Sequence, residues 1–132
     1  MGKRRVKIWI PGVPIPQGRL RHARWGKPYY PKTSNRHRKY LVEQIESHEV
    51  SPFSGPVMVE ITVHRPRANS DLDNHAKMVL DALQDAGVIP GDDVRVIREL
   101  RLRAKSVGDD KADPGTEIVL KALSGLIESK KD

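Results

Sequence analysis

The stretch GPVMVEITVHRPRANSDLDNHAKMVLDALQDAG, residues Gly55–Gly87, changes its hydrophobic period partway along. In its first part Val57, Val59, Ile61 and Val63 alternate with Met58, Glu60, Thr62 and His64. Neighbouring side chains of an extended chain face opposite ways, so this pattern predicts a half-buried strand. RPRANS leads out of it as a loop. From Asp73 or Asn74 onward the apolar residues Ala76, Leu80 and Leu83 recur at helical spacing, and Gly87 supplies a stop. The segment therefore reads as strand, loop, helix.

Upstream, Lys3–Ile10 (KRRVKIWI) reads as a strand. PGVPIPQGRLRHARWGKPYYPKT follows, rich in Pro, Gly and Arg, with no surviving periodicity; it reads as an ordered loop. So long a loop in a small domain usually carries function. Ser34 is a candidate N-cap for a helix over Asn35–His48, with Leu41, Val42 and Ile45 as its buried stripe. Arg36, Arg38 and Lys39 near its start, and Glu43, Glu46 and Glu49 near its end, oppose the helix dipole at ~0.3–1 kcal/mol each. Downstream, DVRVIRELRLRAK alternates, with Val94, Val96, Leu100, Leu102 and Ala104 expected inward. VGDDKADPG is a turn, TEIVLKAL a last strand and residues 124–132 a frayed tail. The expected fold is α/β (α+β): one small domain over residues 1–132, in the order β-α-β-α-β-β, with a mixed four-stranded sheet packed by two helices. Residues 1–33 hold the first strand and the basic loop.

The chain carries 24 Lys plus Arg against 17 Asp plus Glu, a formal net charge of +7. Twelve of the basic residues, and no acid, precede Glu43. A one-sided basic segment is the footprint of a polyanion binder. Arg19, Arg21 and Arg24, with Lys27 and Lys32, interleave with Trp25, Tyr29 and Tyr30, a mixture suited to phosphate contacts and base stacking. The bland alternative is a solvated basic tail. No cysteine is present, which excludes disulfides and thiolate metal sites. No apolar run approaches the ~18 residues of a membrane span. A cytoplasmic protein without membrane attachment is expected.

Against this basic background, Asp71–Asp93 gathers six aspartates (Asp71, Asp73, Asp81, Asp85, Asp92, Asp93) around the single Lys77. Crowded like charges need a counter-ion or a solvated surface. Asp71 and Asp73, in an Asp-x-Asp pair, reach one side of an extended chain. Oxygen donors alone suit a hard cation, Mg²⁺ or Mn²⁺, which can activate a water for phosphodiester hydrolysis. Plainer roles compete: Asp73 as a helix cap, Asp81 and Asp85 as solvated face residues, Asp92 and Asp93 as a turn. An EF-hand loop starting at Asp71 fails, because Ala76 and Ala82 stand where it needs Gly and Glu. His64 and His75 are expected at the surface.

The run DLDNHAKMVLDAL…GV…GDDVRV closely resembles the central motif of the RusA family of Holliday junction resolvases, the crossover junction endodeoxyribonucleases. GVPIPQGRLR…YYP is similar to that family's proline-rich start and basic loop, and Lys105 falls where the family tends to carry a basic residue. Gln17 departs, standing where many members place a basic one. The resemblance spans roughly Ile8 to Lys105. It implies a small homodimeric, Mg²⁺-dependent nuclease that cuts four-way junction DNA symmetrically. It implies Asp71, Asp73 and Asp93 as metal-binding catalytic carboxylates and Lys77 as the catalytic lysine. Arg19, Arg21, Arg24, Lys27, Lys32 and Lys105 become the expected DNA contacts. The rival is a junction- or DNA-binding protein without nuclease activity. Geometry adds one expectation. A helix from Asn74 to Ala86 separates its ends by ~20 Å, so either the link from Gly87 to Asp92 doubles back, which its six residues make tight, or Asp93 completes the partner's site in a two-fold dimer, which is the expectation.

Overall fold

The computed structural model of the protein describes residues 4–123. Lys3 and the expected tail over 124–132 lie outside that range. The elements follow the expected order: β1 Arg5–Pro11, α1 Lys32–Ser47, β2 Val57–His64, α2 Leu72–Asp85, β3 Ile97–Lys105 and β4 Gly115–Ala122. They form one mixed four-stranded sheet in the order β1-β4-β2-β3. β4 runs antiparallel to both β1 and β2, whereas β2 and β3 are parallel. A parallel pair needs a crossover, and α2 is that crossover.

Alternation along the strands sorts one face toward the helices. Ile8, Ile10, Val57, Val59, Ile61, Val63, Ile118 and Leu120 are all buried there, packed against Leu41 and Ile45 of α1 and Val79, Ala82 and Leu83 of α2. Each such side chain contributes ~1.5–3 kcal/mol of burial, and truncating one, as in Ile61→Ala, should cost ~2–5 kcal/mol. The opposite face is laced with ion pairs, Lys7–Glu117 at 3.2 Å and Arg103–Glu60 at 3.0 Å. On it Trp9 lies over Gly115, where a Cβ would come within 2.2 Å of the indole. Any larger residue at 115 would displace that ring.

Several local expectations are corrected. α1 begins at Lys32 behind Pro31, without a side-chain cap. Ser34 is buried inside the first turn, and its Oγ accepts the Gly18 N–H at 2.9 Å instead. α2 is capped by Asp71, not Asp73, and its buried stripe runs through His75, Ala76, Met78, Val79, Ala82 and Leu83, leaving Leu80 half-buried. Gly87, at φ +78°, ends it as expected: the amides of Gly87 and Val88 donate to the carbonyls of Gln84 and Leu83, both at 3.0 Å. β3 starts three residues later than Val94, which is 78% exposed. A register shift between Val57 and Met58 sets Val57 opposite Ile97 but Met58 opposite Glu99, so Arg98 is the extra residue. That bulge changes the phase and brings Ile97 inward. Leu100 and Ala104 remain exposed because β3 is an edge strand. Met58 and Thr62, expected outward and solvated, are buried, since β2 is flanked by strands on both sides.

Candidate active site

The loop leaving β2 turns directly into α2, and Asp71 sits at the joint. With φ −96° and ψ 123° it is still extended, and its Oδ1 accepts the Asp73 N–H at 3.0 Å. One oxygen of Asp71 thus holds the helix start. Asp73 follows in the first turn, and both residues are exposed. The helix N-terminus carries partial positive charge, which favours two carboxylates there. Lys77 is exposed one turn further on, its Nζ 3.9 Å from Asp81 Oδ2.

Beneath this joint is His75, expected at the surface but only 2% exposed. Ser70 Oγ lies 2.6 Å from the Arg67 carbonyl and 2.8 Å from His75 Nε2. A hydroxyl has one proton, and the carbonyl must receive it, so Nε2 carries a hydrogen and donates to Oγ. Burial, aided by His37 and opposed by Asp71, lowers the His75 pKa to about 4. A neutral imidazole therefore fixes the loop that delivers Asp71.

The basic loop is tied to the same place. The Gln17 amide donates to the Asn74 carbonyl at 2.9 Å, Gly18 donates to Ser34, and the Ile15 amide reaches His37 Nε2 at 3.4 Å. Gln17 is 5% exposed, so it is a buried foot of the loop. Beyond it Arg19, Arg21, Arg24 and Lys27 are exposed, and Lys32 is exposed at the first turn of α1. Lys105 ends β3 opposite His64, at the sheet end from which the chain proceeds to Asp71. A groove of about 410 Å³ opens at this end between Val13, Ile15, Arg65, Arg67, Gly108 and Asp110. Arg65 and Arg67 join this lining from outside the expected set of basic residues. The Arg-Pro-Arg run just ahead of the acidic motif was the available signal.

Asp93 is elsewhere. Its carbonyl accepts the amides of Val96 and Ile97, both at 2.9 Å, and Ile97 pairs with Val57, the first residue of β2. Asp71 and Asp73 come after the last residue of β2. The intervening eight-residue strand is on the order of 25 Å long. Among the described residues no three His, Cys, Asp or Glu side chains gather into a metal-binding group. The Asp93 carboxylate is forked by Arg95, with Nη2 2.6 Å from Oδ2, and this hydrogen bonding holds its pKa below the usual range. Asp81 and Asp85 are likewise paired rather than merely solvated. Arg38 of α1 donates to Asp85 at 2.6 and 3.0 Å and lies 3.7 Å from Asp81, clasping the two helices together.

A basic loop is thus rooted on the carboxylate-bearing start of a helix in a mixed α+β domain. The family model for endodeoxyribonuclease RusA matches residues 11–121. The chain belongs to the RusA endodeoxyribonuclease family, whose members are Holliday junction resolvases of DNA recombination and repair and depend generally on a divalent metal. No curated protein matches the chain. Among the described residues no helix is long and apolar enough to cross a membrane.

Proposed function

We propose that this protein is a homodimeric, Mg²⁺-dependent endonuclease that resolves four-way DNA junctions by symmetric cleavage, with Mn²⁺ as a competent substitute, acting in the cytoplasm as a single domain over residues 1–132. The observation that carries the reading is the hydrogen bond from Gln17 to Asn74, which roots the basic loop beside Asp73. Carboxylates without base would repel DNA; here the two are built as one unit. Arg19, Arg21, Arg24, Lys27, Lys32 and Lys105 hold backbone phosphates and position the scissile bond. Arg65 and Arg67 extend that surface.

The donor set fits a hard divalent cation: Asp71, Asp73 and Asp93 offer only oxygen. A cation held there would supply activation of the attacking water and neutralisation of the phosphate charge. Lys77 protonates or charge-stabilises the leaving oxygen. His75 and Ser70 hold the joint that aims Asp71.

Because Asp93 lies a sheet length from Asp71 and Asp73, two chains are needed to bring the three carboxylates together. β3 is an edge strand, with Leu100 42% exposed. Antiparallel apposition of β3 with its copy across a two-fold axis would carry the partner subunit's Asp93 to the end that bears Asp71 and Asp73. It would also make two identical sites for two cuts. Incubating a labelled four-way junction with Mg²⁺ tests the activity: wild type should produce paired nicks and Asp73→Asn none. Binding without any cut by wild type would favour the non-catalytic DNA-binding protein.

A further inference from the structure

Trp25 is 86% exposed, the most exposed large hydrophobic side chain among the described residues. A tryptophan left in water forgoes a large burial gain, so such a placement asks for a partner. The chain's other tryptophan, Trp9, is used internally. It lies over Gly115 and meets the His64 ring edge-on at 5.3 Å. Among the described residues Trp25 has no comparable neighbour. It stands at the tip of a segment closed by two backbone hydrogen bonds between Arg21 and Tyr29, at 2.7 and 2.8 Å. Arg24 lies beside it, with its guanidinium carbon 5.7 Å from the indole centroid. The tip is exposed throughout residues 22–28 and carries Arg24 and Lys27 with no acid. The surroundings therefore select a polyanion with flat apolar faces, which is nucleic acid with accessible bases.

Resting on the junction-nuclease reading, we propose that Trp25 is a specificity-determining stacking residue, taking the open face of a base at the branch point of a four-way junction. In continuous duplex every base face is covered by its neighbours, and access requires unstacking. At a branch point the stacks are interrupted, and a face is available at much lower cost. Arg24 and Lys27, on either side in sequence, hold the flanking phosphates while the indole covers the base. The root of the loop at Asn74 and Ser34 fixes where this contact falls relative to Asp71 and Asp73. Trp25 touches no reacting atom. It decides which DNA architecture is held over the carboxylates.

The test uses the Trp9→Phe protein, in which Trp25 is the sole tryptophan, in metal-free buffer with EDTA so that no DNA is cut. A four-way junction should quench Trp25 emission on binding, and a linear duplex of the same sequence should bind with little quenching. Trp25→Ala should weaken junction binding by roughly 5- to 150-fold, as for loss of one aromatic stack, yet change duplex binding by less than about twofold. Trp25→Tyr should recover most of the junction affinity. Tight junction binding with unchanged Trp25 emission, or equal losses on both DNAs, overturns the stacking role and leaves the nuclease reading standing. Failure of the wild type to bind any DNA overturns both.

Discussion

The amide of Gly18 donates to the Oγ of Ser34 at 2.9 Å, joining the foot of the basic loop to the first turn of α1. A Cβ at Gly18 would come within 2.9 Å of that same oxygen and of Pro31 Cγ, so the chain passes here with no room to spare. Ser34→Ala strands the Gly18 N–H in a part-buried place, at a cost of ~1–3 kcal/mol. Urea unfolding should show that loss. Junction affinity should also fall, although Ser34 touches no DNA. Unchanged affinity in a destabilised variant would mean that the loop orients itself without this tie.

Cleavage should depend on three carboxylates in a way that stability does not. Asn caps a helix about as well as Asp, so Asp71→Asn should fold normally and cut nothing, while Asp71→Ala should lose ~1 kcal/mol as well. Asp73→Asn and Asp93→Asn should also abolish cleavage and leave junction binding equal or tighter. Full activity in any one of them removes that residue from the metal site.

The two ends of β2 make a sharper prediction. Mixing inactive Asp73→Asn protein with inactive Asp93→Asn protein should restore nicking. In the mixed dimer, one site combines intact Asp71 and Asp73 of one chain with intact Asp93 of the other. If mixed samples stay dead after subunits have been shown to exchange, the shared site is wrong.

Periodicity revealed the elements and their order, because Val57–Val63 and the Ala76–Leu83 face state two unambiguous periods. It could not reveal the bulge at Arg98, which is a property of pairing between strands distant in sequence. Nor could it reveal that His75 is buried, since burial there depends on the Ser70 hydroxyl and on α1 packing overhead. The acidic run stood out in the sequence, and the structure sets Asp71 and Asp73 together at the start of α2. The separation of Asp93 from them was only half legible. Helix length implied a gap, but the parallel pairing of β2 with β3 is what sets Asp93 at the far end of the sheet. Asp81 and Asp85 looked solvated because their partner, Arg38, lies on another helix.

Salt dependence should report the basic loop directly. Each phosphate contact made steepens the fall of log affinity with log salt by ~0.9. Replacing Arg19, Arg21 and Arg24 together by Ala should flatten that slope by up to about three such steps and weaken all DNAs alike. An unchanged slope would dismiss the loop as the electrostatic platform.

Acid should loosen the root of the loop through His37. Burial lowers its pKa from the ordinary 6.5, and its Nε2 accepts the Ile15 amide, which only a neutral ring can do. The unfolded chain therefore takes up a proton at this residue before the folded one does. Stability is fully present above about pH 6.5 and declines as pH falls below it. His75 adds a loss of the same sign on the way down to its own value of about 4. In EDTA, chemical unfolding of His37→Gln should fall less steeply between pH 6.5 and 5 than that of wild type. Parallel profiles would place the proton elsewhere.

The last strand of the described chain is the one that the sheet is built around. β4 lies between β1 and β2, pairing Ile118 with Ile8 on one side and with Ile61 on the other. Until β4 has been made, β1 has no neighbour in the sheet, and β2 can pair only with β3 across α2. Folding should then proceed outward from the β2-α2-β3 crossover and close in one late step of long-range pairing, the slow kind of contact formation. During synthesis the basic loop, strung between β1 and α1, would stay unanchored on its β1 side until that closure. The loop's attachment at its β1 end and the completed sheet would thus come into being together, and a chain interrupted before Gly115 would lack both.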